Sequence, residues 1–106
     1  MKLLSRIEEL ILLSIWKLED QAYGMAIREE IIKITGMNWL LGAIYGPLSR
    51  LLNKNLVITT MGEPTPERGG RAKAYFKLTP DGKKELARIQ EVNAILWKNI
   101  PKIKIG

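Results

Sequence analysis

Residues 56–82 read LVITTMGEPTPERGGRAKAYFKLTPDG, and this stretch decides the fold. Its first part, 56–61, is rich in Val, Ile and Thr and reads as a strand, with 72–78 as the return partner. Between them lie Gly62, Pro64, Pro66, Gly69 and Gly70, so the connection is a long hairpin loop rather than a two-residue turn. Alternation along 71–78 places Arg71, Lys73, Tyr75 and Lys77 on one face, expected outward. Ala72, Ala74, Phe76 and Leu78 fall on the other, expected inward. Thr79-Pro80-Asp81-Gly82 then opens a helix, with Thr79 as N-cap and Pro80 at the first helical position. Lys83 and Lys84 near its start oppose the helix dipole, which suggests a role other than helix stability.

Three helices are expected upstream. Ser5-Arg6-Ile7-Glu8 fits a capping box, starting a helix that runs to about Leu18. Its stripe at positions 7, 10, 11, 14 and 18 is apolar except for Ser14. Leu12, Leu13, Ile15 and Trp16 make the helix greasy nearly all round, so it needs cover on two sides. A second helix begins near Tyr23 or Gly24, buries Ala26, Ile27, Ile31 and Ile34, and ends at Thr35-Gly36. A third spans about 41–53, with Ile44, Leu48, Leu51 and Leu52 inward, and stops at Lys54-Asn55, where Asn tolerates the left-handed conformation. Gly46-Pro47 inside it disfavours regular helix, so a bend or an irregular first turn is expected. The last helix carries Leu86, Ile89, Asn93, Leu96 and Ile100 at heptad spacing, a seam suited to the first helix of its own or of a second subunit. Helix, helix, helix, two-stranded ribbon, helix is the order of a winged helix, mainly α with a β wing.

Composition narrows the function. The chain has 106 residues, one domain's worth, and is 46% hydrophobic and 26% charged. It has no Cys and no His, which removes disulfides, zinc sites and Ser-His-Asp or Cys-His catalysis. No phosphate-binding Gly-rich loop is present either, so no enzyme, cofactor or metal site is expected. The apolar run LILLSIW, residues 10–16, is far below the roughly 18 residues that span a membrane, and Glu8 and Glu9 precede it, so a cytoplasmic location is expected. Residues 1–53 carry six Lys/Arg and six Asp/Glu; residues 54–106 carry eleven against five, a net of +6. A basic excess on one element favours a polyanion partner, although a solvated surface has the same composition.

The fragments AYGMAIREEI, LGAIYGPLSRL, KNLV and EPTPERGGRAKAYFKLTPDGKKEL, in this order and spacing, resemble the short class of PadR-like transcriptional regulators. The resemblance covers about residues 10–86. It implies a homodimeric repressor that binds double-stranded DNA, with residues 1–79 as a winged helix-turn-helix domain and 80–106 as a dimerisation helix. The dimer is then built from the first and last helices, through Leu10 and Ser14 and through Leu86, Ile89, Asn93, Leu96 and Ile100. Some members of the class hold flat aromatic compounds between tryptophans at that interface, which makes Trp97 the candidate ligand wall; plain interface packing is the alternative. Trp16 and Trp39 are assigned to core or interface.

For DNA contact the candidates are Tyr23, Tyr45, Arg50, Lys54, Arg68, Arg71 and Lys73. Tyr45 offers a hydroxyl to phosphate or a ring to a base edge, or else props the helix. Arg50 reaches DNA or pairs with Glu29 or Glu30. Lys54 is a phosphate contact or a solvated charge. Arg68, Arg71 and Lys73 suit phosphate or the minor groove, on a loop stiffened by Pro64 and Pro66. The third helix is poor in Arg, Asn and Gln, so specificity would lean on DNA shape and the wing. The rival reading is a winged-helix protein-interaction module whose basic wing meets an acidic protein.

Overall fold

A computed structural model describes residues 3–62 and 73–105. Arg68 and Arg71, and the expected strand residue Ala72, lie outside the described residues. The order is α1 (Arg6–Leu18), a short 3-10 turn (Glu19–Gln21), α2 (Gly24–Thr35), α3 (Leu41–Asn53), β1 (Val57–Met61), β2 (Ala74–Leu78) and α4 (Pro80–Trp97). The two strands pair antiparallel, with Val57 opposite Leu78 and Met61 opposite Ala74. The architecture is the mainly helical winged helix expected.

One end of each helix has a clear local cause. Ser5 and Glu8 form the reciprocal capping box at the start of α1. Gly36, at φ 70°, ends α2, and Asn55, at φ 60°, follows the end of α3. Thr79 does three things at once. Its amide donates to the Leu56 carbonyl, its hydroxyl donates to the Asn55 carbonyl at 2.7 Å, and its oxygen accepts from the Gly82 amide at 2.9 Å. The first turn of α4 is thereby fastened to the turn between α3 and β1. A Cβ at Gly82 would overlap the Leu56 carbonyl oxygen, so this close seat requires glycine.

The core is Ile11, Leu12 and Ile15 of α1; Ala22 with Ile27 and Ile31 of α2; Ile44, Leu48 and Leu51 of α3; and Leu56, Val57 and Phe76 of the sheet. Phe76 points inward and Lys77 outward, as alternation requires. Among the described residues, the hydrophobic side chain that α4 packs on this core is the half-buried Leu86.

Four expectations need correction. Ser14 is wholly buried inside the subunit, in the helical stripe that also buries Ile11 and Ile15, so it is no surface contact; α1 shows Leu13 and Trp16 to solvent instead. Ile34 is 42% exposed, because α2 ends one residue later and its last turn leaves the core. The turns of α3 before Gly46-Pro47 are helical rather than irregular: the helix runs from Leu41 to Asn53 with Pro47 buried. The carbonyl this proline leaves without its helical donor belongs to Ala43, a solvent-exposed residue. Ile100 is not on the last helix. α4 stops at Trp97, Asn99 adopts a left-handed φ of 63°, and Pro101 keeps the residue before it out of helical conformation.

Candidate nucleic-acid interface

The second helix of the helix-turn-helix is held on the first by two fastenings. Arg28 on α2 donates to the Trp39 carbonyl at 2.5 Å and to the Asn38 side chain at 3.1 Å. Trp39 is half-buried and its indole donates to the Thr35 hydroxyl at 3.0 Å. The turn between α2 and α3 is thus built from side-chain bonds rather than a capped helix start; Leu40, the N-cap of α3, offers no side-chain bond.

Tyr45 lies on α3 with its ring partly exposed and its hydroxyl against Gly24, the first residue of α2. A side chain on Gly24 would overlap the Tyr45 hydroxyl and ring, which accounts for glycine after Tyr23. Tyr45 therefore props the two helices and keeps an open edge. Gly42, Ala43, Gly46, Ser49, Arg50 and Asn53 complete the outward side of α3.

At the base of the wing Tyr23 meets Tyr75 edge to face, with ring centroids 5.8 Å apart, and the Lys73 ammonium stands 3.9 Å over the Tyr23 ring. An isolated bridge joins Tyr23 to Tyr75, and the Phe76 amide donates to the Ala22 carbonyl at 2.8 Å. Tyr23 and Lys73 are thus one cluster that ties α2 to β2, and Tyr75 is not a free outward side chain. Lys77 lies 3.5 Å from the exposed carboxylate of Asp20.

The cations of α3 are engaged from the other side. Lys54 donates to Glu8 of α1 at 2.7 Å, and Arg50 lies 3.9 Å from the same oxygen. Glu8, not Glu29 or Glu30, is the partner of Arg50; Glu30 pairs with Lys17 at 2.8 Å, which holds its carboxyl below the usual range. Burial alone would push the Glu8 carboxyl up. The hydrogen bond from Lys54, the Ser5 amide and hydroxyl, and the Lys54 charge outweigh burial and hold it at about 2. Nothing in local spacing announced this cluster, since Glu8 and Lys54 are 46 residues apart.

A second surface lies between α1 and α4. A groove of about 580 Å³ is lined by Leu13, Trp16, Leu86, Ile89 and Asn93 among others. Lys83 also lines it, its ammonium 5.6 Å from the Trp16 ring centroid, so this lysine joins α4 to α1 despite the helix dipole. Trp97 does not line the groove and is 60% exposed; Trp16 is the tryptophan that does. Its hint in the sequence was the apolar excess of the first helix. Val92, Ile95, Leu96 and Trp97 leave α4 with an apolar surface open to water.

Among known families, the Transcriptional regulator PadR-like family matches residues 12–88. The chain belongs to this family. Its fold agrees: a PadR family transcription regulator from Clostridium difficile R20291 is 25% identical, with a TM-score of 0.69 over 91% of this chain and 94% of that one. A PadR-like transcription factor from Bacteroides fragilis is 28% identical, with a TM-score of 0.74 over 89% and 85%. RosR of H. salinarum, solved as the complex hsRosR-S1, is 25% identical, with a TM-score of 0.72 over 91% and 78%. No curated protein matches. The PadR-like chain is thus of a family of DNA-binding transcriptional regulators, and neither that family nor its fold is that of an enzyme. Among its described residues no helix is long and apolar enough to cross a membrane, and no cluster of acidic side chains could hold a metal ion.

Proposed function

We propose that this PadR-like chain is a homodimeric repressor that binds operator DNA through α3 and the wing. Support comes from the separation of two surfaces: a polar, open outer side of α3 beside a basic wing, and an apolar α4 with almost no stake in its own core. In this reading residues 1–79 carry the DNA contacts, with Tyr45 on α3, Lys73 at the wing base and Arg68 and Arg71 on the wing. Residues 80–106 carry the dimer contacts through Leu86, Ile89, Asn93 and Leu96. A planar aromatic compound seated against Trp16 or Trp97 at the dimer seam would relieve repression by changing the spacing of the two α3 helices.

Gel shift of the full chain against its own upstream DNA over a salt series tests the reading. Binding should fall steeply as salt rises. Absent or salt-independent binding would overturn it. The rival, a module that meets an acidic protein, draws on the engagement of both α3 cations by Glu8, and the same experiment separates the two.

A further inference from the structure

Glu8 does more than cap α1. It is 4% exposed, its Oε1 accepts the Ser5 amide at 2.9 Å, and its Oε2 accepts Lys54 at 2.7 Å, with Arg50 at 3.9 Å. Arg50 and Lys54 are the only cations on α3 and its C-cap. We propose that Glu8 is a specificity-determining residue: it holds Lys54, and with it Arg50, off the DNA phosphates and so keeps sequence-independent binding weak.

The argument is electrostatic. Lysine and arginine contacts to phosphate supply affinity that is blind to sequence. Lys54 and Arg50 are about half exposed, but a cation already paired with Glu8 gains less from a phosphate. Drawing Lys54 away would also strip a buried carboxylate of its cation, which is strongly disfavoured. A contact to an exposed, hydrated phosphate is too weak a return. Glu8 therefore acts as an internal competitor for the phosphate, placed on a different helix from the cations it holds. With Glu8 the two cations carry a net +1 rather than +2, so α3 approaches DNA with its charge reduced. Discrimination falls to the shape of the groove and to the small outer side chains of α3, and the electrostatic grip to the wing.

This inference rests on the DNA-binding reading above, and the test distinguishes the two. Glu8→Gln keeps the capping-box geometry but removes the charge. Fluorescence anisotropy of native and E8Q chains is measured with a random-sequence duplex and with the upstream DNA, between 50 and 200 mM salt. The E8Q slope of log affinity against log salt on random DNA should steepen by about 0.9 for Lys54, and by up to about 1.8 with Arg50 also released. Each released cation adds a roughly 3.5-fold greater loss of affinity across that salt range. The ratio of upstream to random affinity should fall. In the double variant E8Q/K54Q the part of the gain due to Lys54 should disappear.

An unchanged or shallower E8Q slope would overturn the inference while leaving the DNA-binding reading intact. A native chain that binds neither duplex overturns both. Should E8Q not fold, side-chain ammonium NMR of the native chain puts the same question. The Lys54 signal should stay in place when random duplex is added, and a shift to a phosphate-bound position overturns the proposal.

Discussion

The hydroxyl of Tyr45 on α3 rests against the backbone of Gly24 at the start of α2, with no room for a side chain between them. The contact sets how α3 leans on α2. Tyr45 is 43% exposed, so its ring can swing outward when crowded. Gly24→Ala should therefore displace Tyr45 rather than unfold the chain. The gain in helix propensity and the lost contact nearly cancel, keeping stability within about 1 kcal/mol of native. Operator affinity should fall, and the G24A/Y45A pair should lose no more than Y45A alone. Chemical denaturation and gel shift on the four chains of this cycle check it; additive losses would show that the two residues act independently.

Glu8 makes stability depend on pH in a defined window. Its carboxyl is lowered from 4.5 to about 2 in the folded chain, so the unfolded chain takes up the proton first. Stability contributed by Glu8 is fully present above pH 4.5 and is lost as pH falls from there toward 2. The full amount is on the order of 3 kcal/mol. Urea unfolding of native and Glu8→Gln chains should differ by about that much at pH 7 and converge near pH 2. A difference that stays constant across this range would exclude the assigned carboxylate.

Ser14 has a fully buried hydroxyl that finds no hydrogen-bond partner among the described residues. Its desolvation is uncompensated, so Ser14→Ala should stabilise the chain by about 1 kcal/mol. A thermal melt shows the direction directly: the melting temperature of S14A should rise. A fall would mean that the hydroxyl is satisfied in solution.

The helix boundaries were legible because each is written in adjacent residues. Ser5 with Glu8, Gly36, Asn55 and Thr79-Pro80 act within one turn, and one end each of α1, α2, α3 and α4 follows from them. The alternation that buries Phe76 and exposes Lys77 was legible for the same reason. What local pattern could not carry is the choice of partner. For Arg50 the sequence leaves open DNA or pairing with Glu29 or Glu30 of α2, and three-dimensional packing brings it to Glu8 of α1. Position 14 belonged to a stripe that periodicity alone could not assign to core or surface, because α1 is apolar on several sides. The heptad seam overran the helix because spacing does not sense Pro101 or the left-handed Asn99. Of the two readings of Tyr45, the structure shows the prop: the hydroxyl packs on Gly24 while part of the ring stays exposed.

Thr79 should prove the residue on which the attachment of α4 most depends. Its hydroxyl serves both as acceptor for the Gly82 amide and as donor to the Asn55 carbonyl. Thr79→Ala removes a cap worth about 1 kcal/mol and unties α4 from the turn that precedes β1. Thr79→Ser keeps the hydroxyl and should be close to native. Comparison of the three chains by urea unfolding checks this, and equal losses for alanine and serine would assign the effect to the methyl group instead.

Leu96 tests what covers α4. It is 65% exposed in the single subunit, as are Ile95 at 72% and Trp97 at 60%. Helices with so little contact to their own core gain their stability from packing elsewhere. Leu96 is largely exposed in the subunit and is not among the residues packed on its core, so Leu96→Asp should remain folded. At a dimer seam the same change places an unpaired charge in an apolar interface, which is strongly unfavourable. Light scattering should therefore find the native chain as a dimer and L96D as a folded monomer, with circular dichroism retained apart from some loss at the end of α4. Operator affinity should fall with it, because two linked subunits bind two half-sites and one subunit binds one. A monomeric native chain, or an L96D dimer, would show that this face of α4 is not the seam.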